Sequence, residues 1–247
     1  MSRTAAITPG LLTRVGNALR RWFQPRGTAL NYRAPVLFFV AREHGLAYLQ
    51  VPKAACTSLR AAICLLNHPE LDPQLVTRDE WIHRHREMND ILGPGAPELS
   101  KLFRFTFVRH PYGRFISFYR NKIAPPDSPA VAKRFGMLGF TAGMSIEAAL
   151  EVIEATPVHQ LDPHLIPQVD LVYRGGPSLV EFIGRVECLA EDVKVVENRA
   201  GIALNLPHLN RAAGGGVERA REFLTEAARA RLQRIYQRDF ERFAYEP

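Results

Sequence analysis

Short apolar runs alternate with amphipathic stretches along most of this chain. Val36 to Val40 and Leu46 to Val51 are strand-length runs joined by Arg42-Glu-His-Gly45, a pattern that predicts a hairpin or strand pair. The second run ends at Pro52, and Thr57 to Leu66 then reads as a helix with Leu59, Ile63 and Leu66 on one face and Thr57 or Ser58 as its cap. Residues 67–100 are polar and carry Pro69, Pro73, Pro94 and Pro97, so they predict a long excursion with short helices. Phe103 to Val108 is a strand that stops at Arg109-His110-Pro111, and Tyr112 to Lys122 restarts as a helix. Residues 124–142 read as irregular, Ser145 to Ala155 as a capped helix, and Asp170 to Tyr173 and Leu179 to Arg185 as strands. Leu189 to Ala200 and Glu218 to Phe240 are the closing helices, and no internal repeat is present. Strands alternating with helices predict an α/β layered domain with a mainly parallel central sheet flanked by helices.

The first 30 residues have a different texture. Leu11, Leu12, Val15, Leu19, Trp22 and Phe23 recur at steps of three and four between Arg14, Arg20 and Arg21, ahead of Pro25 and Gly27. This predicts a basic amphipathic arm over residues 1–30, followed by one domain over 31–247. Two uses fit the arm: residues 11–23 lying peripherally on an anionic membrane surface, or packing on the domain with part of the arm disordered.

Composition narrows the class. With 247 residues, 47% hydrophobic and 23% charged, the chain suits one large domain with its own core. Its net charge of +7 raises a nucleic-acid reading, but residues 1–30 hold five arginines and no acid, leaving 27 basic against 25 acidic residues elsewhere. A domain with that balance lacks the basic face nucleic acid requires, so no nucleic-acid partner is expected. The three cysteines Cys56, Cys64 and Cys188 form neither a disulfide framework nor a zinc spacing, which favours a reducing compartment. No run approaches the roughly 20 apolar residues of a membrane span, and no secretory signal pattern opens the chain. The expected location is cytoplasmic, with the arm allowing contact with the inner face of the membrane.

Two turns carry the candidate chemistry. Pro52-Lys53-Ala54-Ala55-Cys56-Thr57-Ser58 lies between a strand end and a helix start, where backbone N–H groups and the helix dipole suit a phosphate or sulfate. Lys53 adds a cation, and Thr57 and Ser58 add hydroxyls. The nucleoside-triphosphate pattern GxxxxGK[ST] is absent, and a surface lysine beside an ordinary cap explains this segment equally well when it is taken alone. Arg109 sits at the end of the Phe103–Val108 strand and Ser117 follows eight residues later inside the next helix, a pair able to hold another phosphate. Arg114, Arg120 and Lys122 read individually as solvated helix charges.

Pro-Lys-x-x-x-Thr-Ser after one strand and Arg-x-Pro with a serine eight residues after the arginine together resemble the sulfotransferases that use 3′-phosphoadenylyl sulfate. The wording is similar to the carbohydrate sulfotransferases of the chondroitin and natural-killer-epitope type and their bacterial relatives. The resemblance extends through Asp162-Pro-His-Leu-Ile-Pro-Gln168, Phe182 to Asp192, Leu206-Pro-His-Leu-Asn-Arg211 and Tyr236-x-x-Asp-Phe-Glu-x-Phe-Ala-Tyr245, or about residues 45–245. It implies a single P-loop-like sulfotransferase domain that binds the 5′-phosphosulfate at residues 52–58 and the 3′-phosphate at Arg109 and Ser117. It further implies a carbohydrate or glycolipid acceptor, 3′,5′-ADP as product, and a flap at Leu206 to Gly216 with Asn210 and Arg211 on the nucleotide. This chain has Leu165 where the family carries an aromatic residue and lacks a cysteine shortly after it, departures that bear on the acceptor.

Under that resemblance Lys53 is the expected stabiliser of the leaving phosphate, without a metal. A neutral histidine is the expected base for the acceptor hydroxyl, with His85 first, His83 second and Glu87 third. His164 reads as structural or acceptor-lining, His110 as structural, and Cys56 as a spacer. Two alternatives stay open on the sequence: an ATP-dependent nucleotide or small-molecule kinase on a related fold, and a catalytically inactive binding relative.

Overall fold

The two apolar runs after residue 35 become β1 (Phe38–Ala41) and β2 (Leu46–Leu49), a hairpin turned by Arg42 to His44 and by Gly45 at φ 63°. A side chain resists that left-handed backbone, which explains glycine there. The structure is a computed structural model that describes residues 36–77, 79–206 and 216–247. The arm expected at residues 1–30, with its membrane contact at 11–23, lies outside the described residues, as do Asn210 and Arg211.

After β2 the chain runs through α1 (Cys56–Asn67), α2 (Pro73–Val76), α3 (Asp79–Arg84) and β3 (Asp90–Leu92) to β4 (Phe103–Val108). It continues through α4 (Pro111–Lys122), α5 (Pro129–Lys133), α6 (Ile146–Ala155), α7 (Gln168–Tyr173), β5 (Phe182–Arg185) and α8 (Leu189–Ala200). The described residues end in α9 (Gly216–Phe223), α10 (Glu226–Ile235) and α11 (Gln237–Arg242). The sheet has five strands in the order β3-β1-β2-β4-β5. β2, β4 and β5 pair in parallel, while β1 pairs antiparallel with both β2 and β3, so β1 alone runs against the other four. The sheet is therefore mostly but not wholly parallel.

Adjacency of β2 and β4 decides the location of the site. Leu46, Ala47 and Tyr48 pair with Phe103, Arg104 and Phe105, so both strands deliver their following turns to the same end of the sheet. In α/β sheets the carboxyl ends of parallel strands are where ligand-binding turns gather. Beneath them Phe38, Phe39, Tyr48, Phe105 and Phe107 are buried in one aromatic core. Gly184 in β5 is required by this packing, because a Cβ there would lie 2.5 Å from the ring of Phe107. The polar excursion folds back on α1, where Val76 and Ile82 pack with Ala61 and Cys64 in a second small core.

Several elements depart from the sequence pattern for identifiable reasons. Asp170 to Tyr173 lies in helix α7, not a strand, because the Asp239 carboxylate accepts the Gln168 and Val169 N–H groups at 2.9 and 2.8 Å. The cap comes from a segment 70 residues away and leaves no local signature. The strand expected over Leu179 to Arg185 is confined to β5. The closing helix divides into three: Thr225 caps α10 through the Ala228 N–H, and Tyr236 leaves helical geometry with its hydroxyl donating to the Leu165 carbonyl at 2.9 Å. Among the described residues no helix is long and apolar enough to cross a membrane.

Candidate active site

The turn after β2 is built from unfavourable backbone. Lys53 and Ala55 both have positive φ, 67° and 55°, in the left-handed region that costs a non-glycine residue about 1–3 kcal/mol. Two such residues in close succession turn the chain sharply just ahead of the helix start, the kind of place where free backbone N–H groups suit an anion. Ala55, not Thr57 or Ser58, occupies the N-cap of α1, and no side chain caps the helix. Thr57 and Ser58 instead fall in the first turn of α1, partly buried, where the macrodipole adds to the field and no acidic residue cancels it. Cys56, a free thiol, is the first residue of the helix.

The turn after β4 lies against this loop. Arg109 Nη1 donates to the Lys53 carbonyl at 3.4 Å, and the Arg109 guanidinium rests over Gly113, where a Cβ would meet Nε at 3.1 Å. Burial disfavours its charge and lowers its pKa, opposed by the charge of Glu187, so this cation gains from an anionic partner. Lys53 Nζ donates to Asn121 Oδ1 at 3.2 Å. Arg114 Nε donates to the Pro52 carbonyl at 3.1 Å. Arg114, Ser117 and Asn121 follow one another at steps of three and four along α4, so Ser117 shares the helix face turned toward the loop. Lys53, Arg109 and Ser117 are thus brought together with the loop 52–58.

Arg114 is no solvated charge. It is buried, and its other two nitrogens donate to the carbonyls of Ile166 at 2.9 Å and Pro163 at 3.1 Å. Gly113, Asn121 and Gln168 also bear on the site without having been singled out from the sequence. Gln168 accepts the Arg109 N–H at 2.9 Å and donates to the Arg109 carbonyl at 2.8 Å, fixing the peptide on both sides. The Glu187 carboxylate takes the His110 N–H at 2.8 Å and the Tyr245 hydroxyl at 3.0 Å. His110 accepts from the Tyr112 N–H through Nδ1 and therefore donates through Nε2 to the Glu246 carbonyl at 2.8 Å, a structural role. The segments that resembled the family without an assigned role converge on the peptide of Arg109.

His85 follows α3, stacks on Trp81 with ring centroids 4.6 Å apart, and engages Glu87 Oε1 through Nδ1 at 3.1 Å. Its partner Glu87 is held below the ordinary carboxylate range, first by a backbone hydrogen bond and then by His85. His83 lies within α3. Among the described residues no group of three or more His, Cys, Asp or Glu is placed to hold a metal ion.

The chain matches the model of the sulfotransferase family over residues 36–246. It belongs to the sulfotransferase family. Carbohydrate sulfotransferase 11 of Rattus norvegicus and of Mus musculus are each 26% identical to it over 233 residues, covering 83% of this chain and 66% of theirs. Carbohydrate sulfotransferase 12 of Mus musculus is 27% identical over 244 residues, covering 82% of this chain and 58% of its own. The chain therefore spans 58% to 66% of the length of these curated relatives. No solved structure gives a significant match.

One consequence concerns Gly113. An alanine there improves helix propensity by about 1 kcal/mol but presses on Arg109. If Arg109 holds a phosphate as the sequence resemblance implies, Gly113→Ala is expected to melt at or above the parent temperature while binding 3′,5′-ADP several-fold more weakly by calorimetric titration. Unchanged affinity would mean that Arg109 yields without consequence.

Proposed function

We propose that the protein transfers a sulfuryl group from 3′-phosphoadenylyl sulfate to a hydroxyl of a carbohydrate acceptor, directly and in line. The observation that carries this reading is the contact between the two turns, with the Arg109 guanidinium 3.4 Å from the Lys53 carbonyl. One nucleotide bearing an anionic group at each end can engage both turns. The loop from Pro52 to Ser58 offers the N–H groups of a helix start and two hydroxyls to the 5′-phosphate and its sulfuryl group. Arg109 and Ser117 take the 3′-phosphate, the group that sets this donor apart from ATP. Lys53 supplies the positive charge needed as the 5′-phosphate oxygen departs, the role that fixed cations play in phosphoryl transfer. The carbohydrate character of the acceptor is supported by the names of the relatives.

The test is ligand-dependent melting in metal-free buffer. 3′,5′-ADP is expected to raise the melting temperature and ATP to do so weakly. Arg109→Ala is expected to weaken 3′,5′-ADP binding about 10- to 100-fold, the loss of a charge-assisted contact to phosphate. A magnesium-dependent response to ATP, with none to 3′,5′-ADP, would overturn the proposal in favour of a kinase.

A further inference from the structure

Arg114 does more than anchor the donor loop. Its Nε holds the Pro52 carbonyl and its Nη2 the Pro163 carbonyl, each at 3.1 Å. Two carbonyls gripped by one planar guanidinium lie within a few ångströms of one another, so the residues that follow them, Lys53 and His164, emerge side by side. His164 is also locked in orientation. Asp162 Oδ1 accepts the His164 N–H at 2.9 Å and contacts the ring at Nδ1 at 2.5 Å. Asp162 is almost fully buried and pairs in addition with Arg134. An ionised carboxylate only accepts, so Nδ1 carries the proton and Nε2 keeps its lone pair. Phe118 and Phe135 flank the ring at 6.3 and 6.1 Å, and the side chain remains 25% exposed.

We propose that His164, oriented by Asp162, accepts the proton of the acceptor hydroxyl beside Lys53. This rests on the sulfuryl-transfer reading above and adds the base to it. As the acceptor oxygen bonds to sulfur, its proton moves to Nε2 of His164. The bond from sulfur to the 5′-phosphate oxygen breaks, and that oxygen leaves with the electron pair opposite Lys53. The new imidazolium is balanced by Asp162, a positioning residue, and returns its proton to water through the exposed part of the ring. The charged groups around His164 are Asp162 and Arg134 beside it, Lys53 from the donor loop and Lys122 from α4. Burial, Lys53 and Lys122 together outweigh Asp162 and hold the pKa of His164 below its ordinary value, keeping it neutral and able to accept. The sequence reading favoured His85, whose partners are Glu87 and Trp81.

The experiment follows 3′,5′-ADP release from 3′-phosphoadenylyl sulfate across pH, with an unsulfated glycan extract as acceptor probe, alongside histidine ¹⁵N spectra of the full chain. His164→Gln is expected to lower kcat about 10²- to 10⁴-fold and to abolish the acid limb of kcat/KM, which in the parent lies on the acid side of the ordinary imidazole range. Its melting response to 3′,5′-ADP is expected to stay. Asp162→Asn is expected to lower kcat less and to move that limb to lower pH, since the carboxylate favours the charged ring. The spectra are expected to show His164 as the Nδ1–H tautomer, a reading that needs no variant to fold. An Nε2–H tautomer, or a His164→Gln enzyme that keeps the parent limb while His85→Ala loses it, would overturn the assignment. A parent protein that neither responds to 3′,5′-ADP nor releases it would overturn the sulfuryl-transfer reading itself.

Discussion

Replacing Lys53 by alanine is expected to lower turnover about 100- to 1,000-fold while 3′,5′-ADP still raises the melting temperature. The asymmetry follows from where charge develops. In the resting donor the sulfuryl-bearing phosphate oxygen is neutralised in part by sulfur, and the bond cleavage deposits a negative charge there that only a nearby cation answers. Under the proposed function Arg109, Ser117 and the loop N–H groups remain to hold the product nucleotide, so its affinity is expected to change little. Backbone geometry supplies a second handle on the same residue. Lys53 sits at φ 67°, a conformation that alanine adopts at a cost of about 1–2 kcal/mol and glycine adopts freely. Lys53→Gly is therefore expected to melt above Lys53→Ala while being equally slow. Single-turnover rates with labelled donor, read together with thermal melts, separate the two contributions. Full turnover in both variants would remove the ammonium from the mechanism.

The legible part of this molecule is the part whose signals are local. β1, β2, β4, α4 and α8 declare themselves in apolar runs and helical periodicity, and the two anion-suited turns are marked by lysine and arginine at strand ends. Adjacency of those turns is a property of the strand order, which the residues in each turn do not encode. The less legible part is made by distant partners. Asp239 caps α7 across 70 residues, so an apolar stretch that reads as a strand becomes a helix. β3 is three half-buried residues at the sheet edge and has no periodicity long enough to detect. Arg114 lies at a helical position that is polar by pattern and buried in fact, because the carbonyls of Pro52, Pro163 and Ile166 converge on it. Gln168, Glu187 and Tyr245 were visible as residues in family-like segments, yet their task, fixing the peptides of residues 109 and 110, emerges only when the three segments meet. Asn121 had a usable signal in its spacing of four from Ser117 on the same helix face.

Arg114→Met is expected to destabilise the fold by about 3 kcal/mol and to disable the site together with it. The three carbonyls of Pro52, Pro163 and Ile166 lose their donor, and each unsatisfied buried group costs about 1–3 kcal/mol. Part of that cost is offset, since the variant no longer buries a guanidinium whose charge desolvation disfavours. For a domain of this size the balance corresponds to a melting temperature lower by about 6–12 °C. Arg114→Lys does not restore it, because one ammonium cannot span three carbonyls arranged around a planar fork. The functional consequence is distinct from the thermal one. The same guanidinium sets Pro52 against Pro163, so its loss lets the Lys53 loop and the Asp162–His164 turn drift apart. At a temperature where the Arg114→Met protein is still folded, turnover is expected to fall at least as far as in Lys53→Ala, whereas 3′,5′-ADP affinity falls only several-fold. A variant that is less stable but turns over at the parent rate when folded would show that the two turns hold their spacing without the clamp.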